Sequence, residues 1–284
     1  MANNAELKNP DVVVIGDSFS RPNAWQSVVT RDTGLVIKTY NYANNHNCYL
    51  PWMTQIGEGL EGYDKLIVLQ SIEHQFMDRF KEPEKCKDSS VFLVRPVSGG
   101  NNWVWPDKSS WKEIDLLRQF RTIAHQFQLW RAPNKVHGEW IRNAPLTNKS
   151  LFSNYRSDRL LYLDLDDQRL KWTQADIQQA AKNLKITQDY LKSKGFRFAM
   201  LIVPDKVHVY EDALLHPWVA HPASNLTRSL NELGVSTFEV IDHLKQSSLT
   251  NVDLYMPNDD HLGPAGQIQL AKAMMKNAIL KKDN

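Results

Sequence analysis

Asp11-Val-Val-Val-Ile-Gly-Asp-Ser18 is the stretch that decides the fold. Val12 to Ile15 are β-branched, with no polar residue among them. Such a run suits a strand covered on both faces, as in a buried parallel sheet. Gly16 permits a tight turn at little steric cost. A helical stretch follows around Asn23 to Arg31 and closes at Gly34. Leu35 to Tyr40 reads as a second strand, a weak helix follows Pro51, and Lys65 to Leu69 reads as a third strand. Strands spaced by helices predict βαβ units and a parallel sheet.

From Lys81 to Asp167 the rhythm breaks. This stretch holds five of the nine tryptophans, so it is set apart in composition as well as in pattern. Its one strong element is a helix over roughly Trp111 to Trp130, where Ile114, Leu117, Phe120, Ile123, Ala124 and Phe127 mark one apolar face. The region reads as an insertion over part of the sheet, short on strand signals. The α/β rhythm then returns. Thr173 caps a helix running to about Lys194, with Asp176 at its third position and Gly195 as its stop. Phe196 to Val203 is a fourth strand and Asn225 to Leu233 a helix. Ser236 to Ile241 is a fifth strand, and a last helix starts at Pro264 and runs to about Leu280.

The chain has 284 residues, 42% hydrophobic and 23% charged, which is enough apolar matter for a packed core. A net charge of +2 leaves no electrostatic footprint for nucleic acid. The longest apolar run, Phe198 to Val203, has strand length and predicts no membrane span. Met1-Ala-Asn-Asn-Ala-Glu lacks the basic start and apolar stretch of an export signal, which predicts either a cytoplasmic chain or one trimmed of its leader. Cys48 and Cys86 fit one disulfide or two buried thiols equally well. Exposed indoles stack on sugar rings, so Trp103, Trp105 and Trp111 are candidates for a sugar platform, with packing of the insertion as the alternative.

Two loops carry chemistry. In the first, Gly16-Asp-Ser18 leaves the carboxyl end of the first strand, where open α/β sheets place their ligand crevices. A helix starting just after Ser18 would put free backbone N–H groups beside an attacked carbonyl, so Ser18 is a candidate nucleophile and its N–H an oxyanion donor. Alone, Asp and Ser here are equally ordinary capping residues. The second loop is Asn258-Asp-Asp-His-Leu-Gly-Pro-Ala-Gly266. His261 can take a serine proton, and a carboxylate close in sequence can hold its ring; an Asx-rich cap on the last helix is the bland alternative. A parallel sheet brings both loops to one edge, which strengthens the pair. The histidines at 208, 216 and 221 lack the paired spacing of a zinc site, and neither a metal nor a cofactor is expected.

Gly16-Asp17-Ser18 resembles the first sequence block of SGNH (GDSL-type) hydrolases, and Asp259-Asp-His-Leu262 with Gly263 and Gly266 resembles their last block. The commonest family pattern places the Asp three residues before the His, where this chain has Asn258. An Asp two residues before, Asp259, resembles the branch of alginate-type exopolysaccharide O-acetyltransferases. Ile67-Val-Leu-Gln-Ser-Ile-Glu-His74 is similar to the third-strand segment of that branch, with His74 in place of an Arg. Val203-Pro-Asp-Lys206 with Tyr210 is similar to its Pro-x-Lys…Tyr segment. In the loop after the second strand the family's oxyanion Gly is missing; Asn45 or Asn47 can adopt the same left-handed backbone. Gln70 stands near the position of the family's Asn donor.

The resemblance implies a single domain with a three-layer α/β/α sandwich and a five-stranded parallel sheet in the flavodoxin-like order 2-1-3-4-5; it does not cover residues 81–167, which the broken rhythm marks as an insertion over part of the cleft. It implies a Ser18–His261–Asp259 triad, with Ser18, Asn45, Asn47 and Gln70 as oxyanion candidates. His74, Lys206, Tyr210, Trp103 and Trp105 are the substrate-binding candidates. The expected reaction is O-acetyl transfer onto a cell-envelope or secreted polysaccharide or oligosaccharide. A carbohydrate or lipid esterase and a non-catalytic sugar-binding module are the alternatives. The implied partners are a polysaccharide acceptor, an acyl donor and a membrane-associated acetylation or export machinery, in the periplasm or cell envelope.

Overall fold

The computed structural model describes residues 10–20, 24–41, 49, 53, 65–82, 141–217 and 222–280. In chain order its strands are β1 (Val12–Gly16), β2 (Ile37–Asn41), β3 (Leu66–Ile72), β4 (Ile141–Pro145), β5 (Arg159–Leu163) and β6 (Arg197–Val203). Its α-helices are α1 (Trp25–Thr33), α2 (Phe76–Phe80), α3 (Gln174–Ser193), α4 (Lys206–Val209), α5 (Leu226–Glu232), α6 (Ile241–Ser248) and α7 (Pro264–Lys276). Four strands form a parallel sheet in the order β2-β1-β3-β6, with Val12 opposite Ile37 on one side and Leu66 on the other.

Side chains alternate across a strand, so neighbours in β1 enter different cores. Val12 and Val14 pack with Trp25 and Val29 of α1, Leu244 of α6 and Leu270 of α7. Val13 and Ile15 pack with Phe76 and Phe80 of α2, Ile177 and Leu184 of α3, and Leu230 of α5. Helices thus cover both sheet faces, which is why β1 reads as an unbroken apolar run. Each such side chain contributes about 1.5–3 kcal/mol by leaving water.

Local signals place the helices. Thr173 and Asp176 close a reciprocal capping box at the start of α3. Gly34 ends α1 with φ 74°, a left-handed backbone that Gly adopts freely. Gly266 serves a different need. A Cβ there would lie 2.0 Å from the Leu254 carbonyl oxygen, so only Gly lets α7 press directly on the chain at 254.

Two expectations need correction. Ser236 to Ile241 does not form a fifth strand. Thr237 makes one isolated parallel bridge to Met200, with Met200 N–H donating to Ser236 O at 2.8 Å and Phe238 N–H to Met200 O at 2.9 Å. The chain turns into α6 at Ile241, so too few extended residues remain for a ladder. The end of the insertion does contain strands: β4 and β5 form an antiparallel pair, Ile141 opposite Leu163 and Pro145 opposite Arg159. Asn143 and Pro145 weaken the β signal of this segment, so sequence pattern alone passed over it. The helix expected at 111–130, Cys48, Cys86 and, apart from Met53, the weak helix after Pro51 fall outside the described residues. Among the described residues no helix is long and apolar enough to cross a membrane.

Candidate active site

The turn after β1 is held from below. The Asp17 carboxylate is buried; it accepts from Phe19 N–H at 3.0 Å, from Ile72 N–H at 2.9 Å and from the Arg79 guanidinium at 2.6 Å. Gln70 Oε1 accepts from Asp17 N–H at 2.9 Å and from Ser20 Oγ at 2.8 Å. A Cβ at Gly16 would lie 2.5 Å from Gln70 Oε1 and 2.6 Å from Ser20 Cβ, so a larger residue there would push on the turn. Ser20 N–H donates to Asp17 O at 3.0 Å. Asp17, Phe19 and Ser20 thereby commit their N–H groups, while Ser18 sits half-buried at the crest. Arg79 came from no motif; a buried Asp at the end of a strand was the only hint that a cation must lie beneath it. Breaking a buried pair by removing one partner costs about 3–5 kcal/mol, so Arg79→Met should lower the free energy of unfolding by that much in a urea titration. A loss within experimental error would show that the pair does not fix the turn.

The second loop lies between Tyr255 and Leu262, which bridge at its base, and Gly263 N–H donates to Leu254 O at 2.9 Å. Its side chains meet the first turn. His261 Nε2 lies 2.8 Å from Ser18 Oγ, across 243 residues of sequence. His261 Nδ1 lies 2.6 Å from Asp259 Oδ1 and 3.0 Å from Asp260 Oδ1. Asp259 Oδ1 also accepts the His261 backbone N–H at 3.0 Å, closing a small ring that sets the imidazole. Phe19 stacks on that imidazole, with centroids 4.6 Å apart and planes 16° from parallel. A carboxylate at Nδ1 keeps the proton there and leaves Nε2 of the neutral ring to accept from the Ser18 hydroxyl.

The hydrogen bonds of Asp260 and Asp259 push His261 up to about 9, against an opposing pull from burial. Burial alone would raise Asp259, but its hydrogen bonds with Asp260 and His261 hold it well below the ordinary carboxylate range. His261 is therefore a stronger base than a free histidine, and it is cationic over more of the neutral range.

The remaining candidates separate. Of the substrate-binding candidates, His74, Lys206 and Tyr210 are buried and engaged with protein groups. His74 Nδ1 meets Asp205 Oδ1 at 2.7 Å and Asp166 Oδ1 at 3.3 Å. Burial would lower this histidine, but the Asp205 and Asp166 charges win and raise it to about 10. Beside it Glu73 holds His208 Nδ1 at 2.9 Å and Arg169 at 3.6 Å. Tyr210 OH lies 3.4 Å from the Tyr255 N–H. Lys206 Nζ donates to three backbone carbonyls, Met256 at 2.8 Å, Pro257 at 2.9 Å and Asp259 at 3.1 Å. Gln70 lies directly under the turn with its carbonyl end engaged. Asn45, Asn47, Trp103 and Trp105 are outside the described residues.

Among the described residues two groups bring one ligand-type atom per residue within 4.8 Å, His74–Asp166–Asp205 and Asp259–Asp260–His261. In each the histidine Nδ1 already contacts carboxylate oxygen. A cavity of about 270 Å³ adjoins the second group, lined by Ile141, Leu161, Tyr162 and Leu163 of the β4–β5 pair and by residues 258–261. A larger one, about 590 Å³, lies among Glu73, His208, Glu211, His243 and Lys245 and touches neither Ser18 nor His261. Size therefore does not mark the site here; the convergence of Ser18, His261 and two carboxylates does.

Residues 157–283 match the family model described as the SGNH hydrolase-like domain of the acetyltransferase AlgX. The match takes in β6, Lys206, Asp259, His261 and α7; the turn bearing Ser18 lies outside it. No curated protein matches the chain. The chain thus carries an SGNH hydrolase-like region with α/β content on a four-stranded parallel sheet, of a kind associated with acetyltransferase or esterase chemistry.

Proposed function

We propose that this SGNH-type protein is a serine-dependent O-acetyltransferase, built on a three-layer α/β/α sandwich and working through an acyl-enzyme on Ser18. The observation that carries the proposal is the 2.8 Å contact between Ser18 Oγ and His261 Nε2, made by residues at opposite ends of the chain. In the first step His261 Nε2 takes the hydroxyl proton as Ser18 Oγ attacks an ester carbonyl. Asp259 keeps the ring in the correct tautomer and balances the imidazolium. The Ser18 N–H, the one amide of its turn not engaged as described above, is the nearest candidate donor to the oxyanion. The tetrahedral intermediate then collapses, the alcohol leaves with the proton from His261, and an acceptor hydroxyl reverses the sequence. No cofactor enters this scheme.

The family match favours an acetyl group as cargo. With it we propose a sugar hydroxyl of a secreted or cell-envelope polysaccharide as acceptor and a membrane-associated machinery as source of the donor, as the motif resemblance implies. One observation favours hydrolysis instead. Asp259 is 47% exposed at the side chain, so water reaches the edge of the described site. A single experiment separates the two readings. The protein is mixed with a chromogenic acetyl ester and defined uronate oligosaccharides, and both dye release and oligosaccharide mass are followed. Transfer predicts acetylated oligosaccharide in step with dye release. Dye release with free acetate alone identifies an esterase, and no release of dye overturns both.

A further inference from the structure

We infer that Lys206 is a positioning residue for the reaction proposed above, its ammonium clamping the loop of Asp259 and His261 and offsetting the carboxylates that surround the imidazole. The inference rests on that reading of the site, but its geometry is independent of the substrate. An ammonium has three N–H donors and no acceptor. All three are spent on one loop, on the carbonyls of Met256, Pro257 and Asp259. Lys206 is 1% exposed, so it cannot reach a ligand in the cleft. The loop itself is mostly exposed at Met256, Asn258 and Asp259, with little packing to stiffen it. Its internal bonds are few: Met256 N–H to His261 O at 2.9 Å, Asp259 N–H to Met256 O at 3.3 Å, and the Asp259 ring. Lys206 thus holds the main-chain carbonyl of Asp259, whose side chain orients the imidazole that meets Ser18.

The charge has a second effect. Asp259, Asp166, Asp260 and Asp253 all act on Lys206, from the loop, from the 164–171 segment and from the turn before Tyr255. The Phe152 ring supplies the other wall, 4.9 Å from Nζ. His74 lies behind Asp166 and is paired with it. A cation here tempers the two carboxylates that make His261 so basic. Burial also lowers Lys206 to about 8. When it loses its proton the clamp loses one of three donors and all of its charge, so activity should fall on the alkaline side.

The test compares the full-length protein with Lys206→Met and Lys206→Arg, by pH profiles of kcat and KM on an acetyl ester, thermal melting, and NMR titration of the His261 imidazole. Lys206→Met should lose about a hundredfold in kcat, the scale of a small misplacement of reacting groups, with KM changed less than about threefold. Its His261 should titrate at higher pH than in the parent protein. Lys206→Arg should keep most of the activity and lose the alkaline limb, because guanidinium does not titrate there. A folded Lys206→Met with near-parental kcat overturns the inference, and so does a loss confined to KM, which marks a substrate contact. If Lys206→Met does not fold, an alkaline limb retained in Lys206→Arg overturns it. Should the parent protein turn over no ester and resist a fluorophosphonate at Ser18, the acyl-transfer reading fails instead. The clamp then stands or falls on whether His261 titration moves in Lys206→Met.

Discussion

Ser18→Ala should lower acetyl-ester turnover by at least about 10⁴-fold and remove all labelling by a fluorophosphonate. The expectation follows from the proposed covalent step: alanine offers nothing to attack with. His261→Ala should cost nearly as much, since the serine hydroxyl then has no acceptor at 2.8 Å. The two losses should not add. Each removes the same proton transfer, so the double variant should resemble either single one. Melting temperatures should stay close to the parent, because the turn is fixed by Asp17, Gln70 and Arg79 and not by Ser18 itself. Parental turnover by Ser18→Ala would end the acyl-enzyme proposal. Unchanged oligosaccharide binding beside absent turnover in the parent would favour the sugar-binding module.

What the sequence made legible is local. Val12 to Ile15 announce a strand covered on both sides, Thr173 and Asp176 announce a helix start, and Gly34 announces a stop. Each signal lies within a few residues of the element it sets. The meeting of Ser18 with His261 was legible for a different reason. Parallel strands align their carboxyl ends, so two polar loops at that edge are near each other whatever their separation in sequence. Legibility fails where a partner is chosen by packing. Nothing near Arg79 predicts Asp17, and nothing near Lys206 predicts the carbonyls at 256, 257 and 259. His74 reads as a substrate candidate from its place after the third strand, and Tyr210 from the segment it shares with Lys206. Here they answer other buried groups, His74 the carboxylates of Asp205 and Asp166, Tyr210 the backbone at Tyr255. The fifth strand failed through competition: Ser236 to Ile241 has the right residues, but the demand of α6 for Ile241 cuts it to a bridge.

Asp259→Asn should be the next most damaging change, at about 10³-fold in kcat, against about tenfold for Asp260→Asn and about 10⁴-fold for the two together. Both carboxylates reach His261 Nδ1, but not equally. Asp259 lies at 2.6 Å against 3.0 Å, also holds the His261 backbone N–H, and has its own carbonyl tied to Lys206. Its amide would either present N–H to Nδ1 or turn away, and in both cases the ring loses the tautomer that leaves Nε2 open. Asp260 then serves as an imperfect second anchor, which is why the single loss should stop short of the double. The pH profile gives the deciding sign. As a base His261 would act only when neutral, and the carboxylates raise it to about 9, so the parent should gain activity with rising pH until deprotonation of Lys206, at about 8, begins to offset the gain. Removing a carboxylate lets the histidine fall towards its ordinary value near 6.5, and the acid limb should move to lower pH. Asp259→Asn should therefore look least impaired in mildly acidic buffer and more impaired as pH rises, where a larger share of the parent base is neutral. A larger loss from Asp260→Asn than from Asp259→Asn would transfer the orienting role to Asp260. An acid limb that stays fixed in both variants would mean that neither carboxylate governs His261.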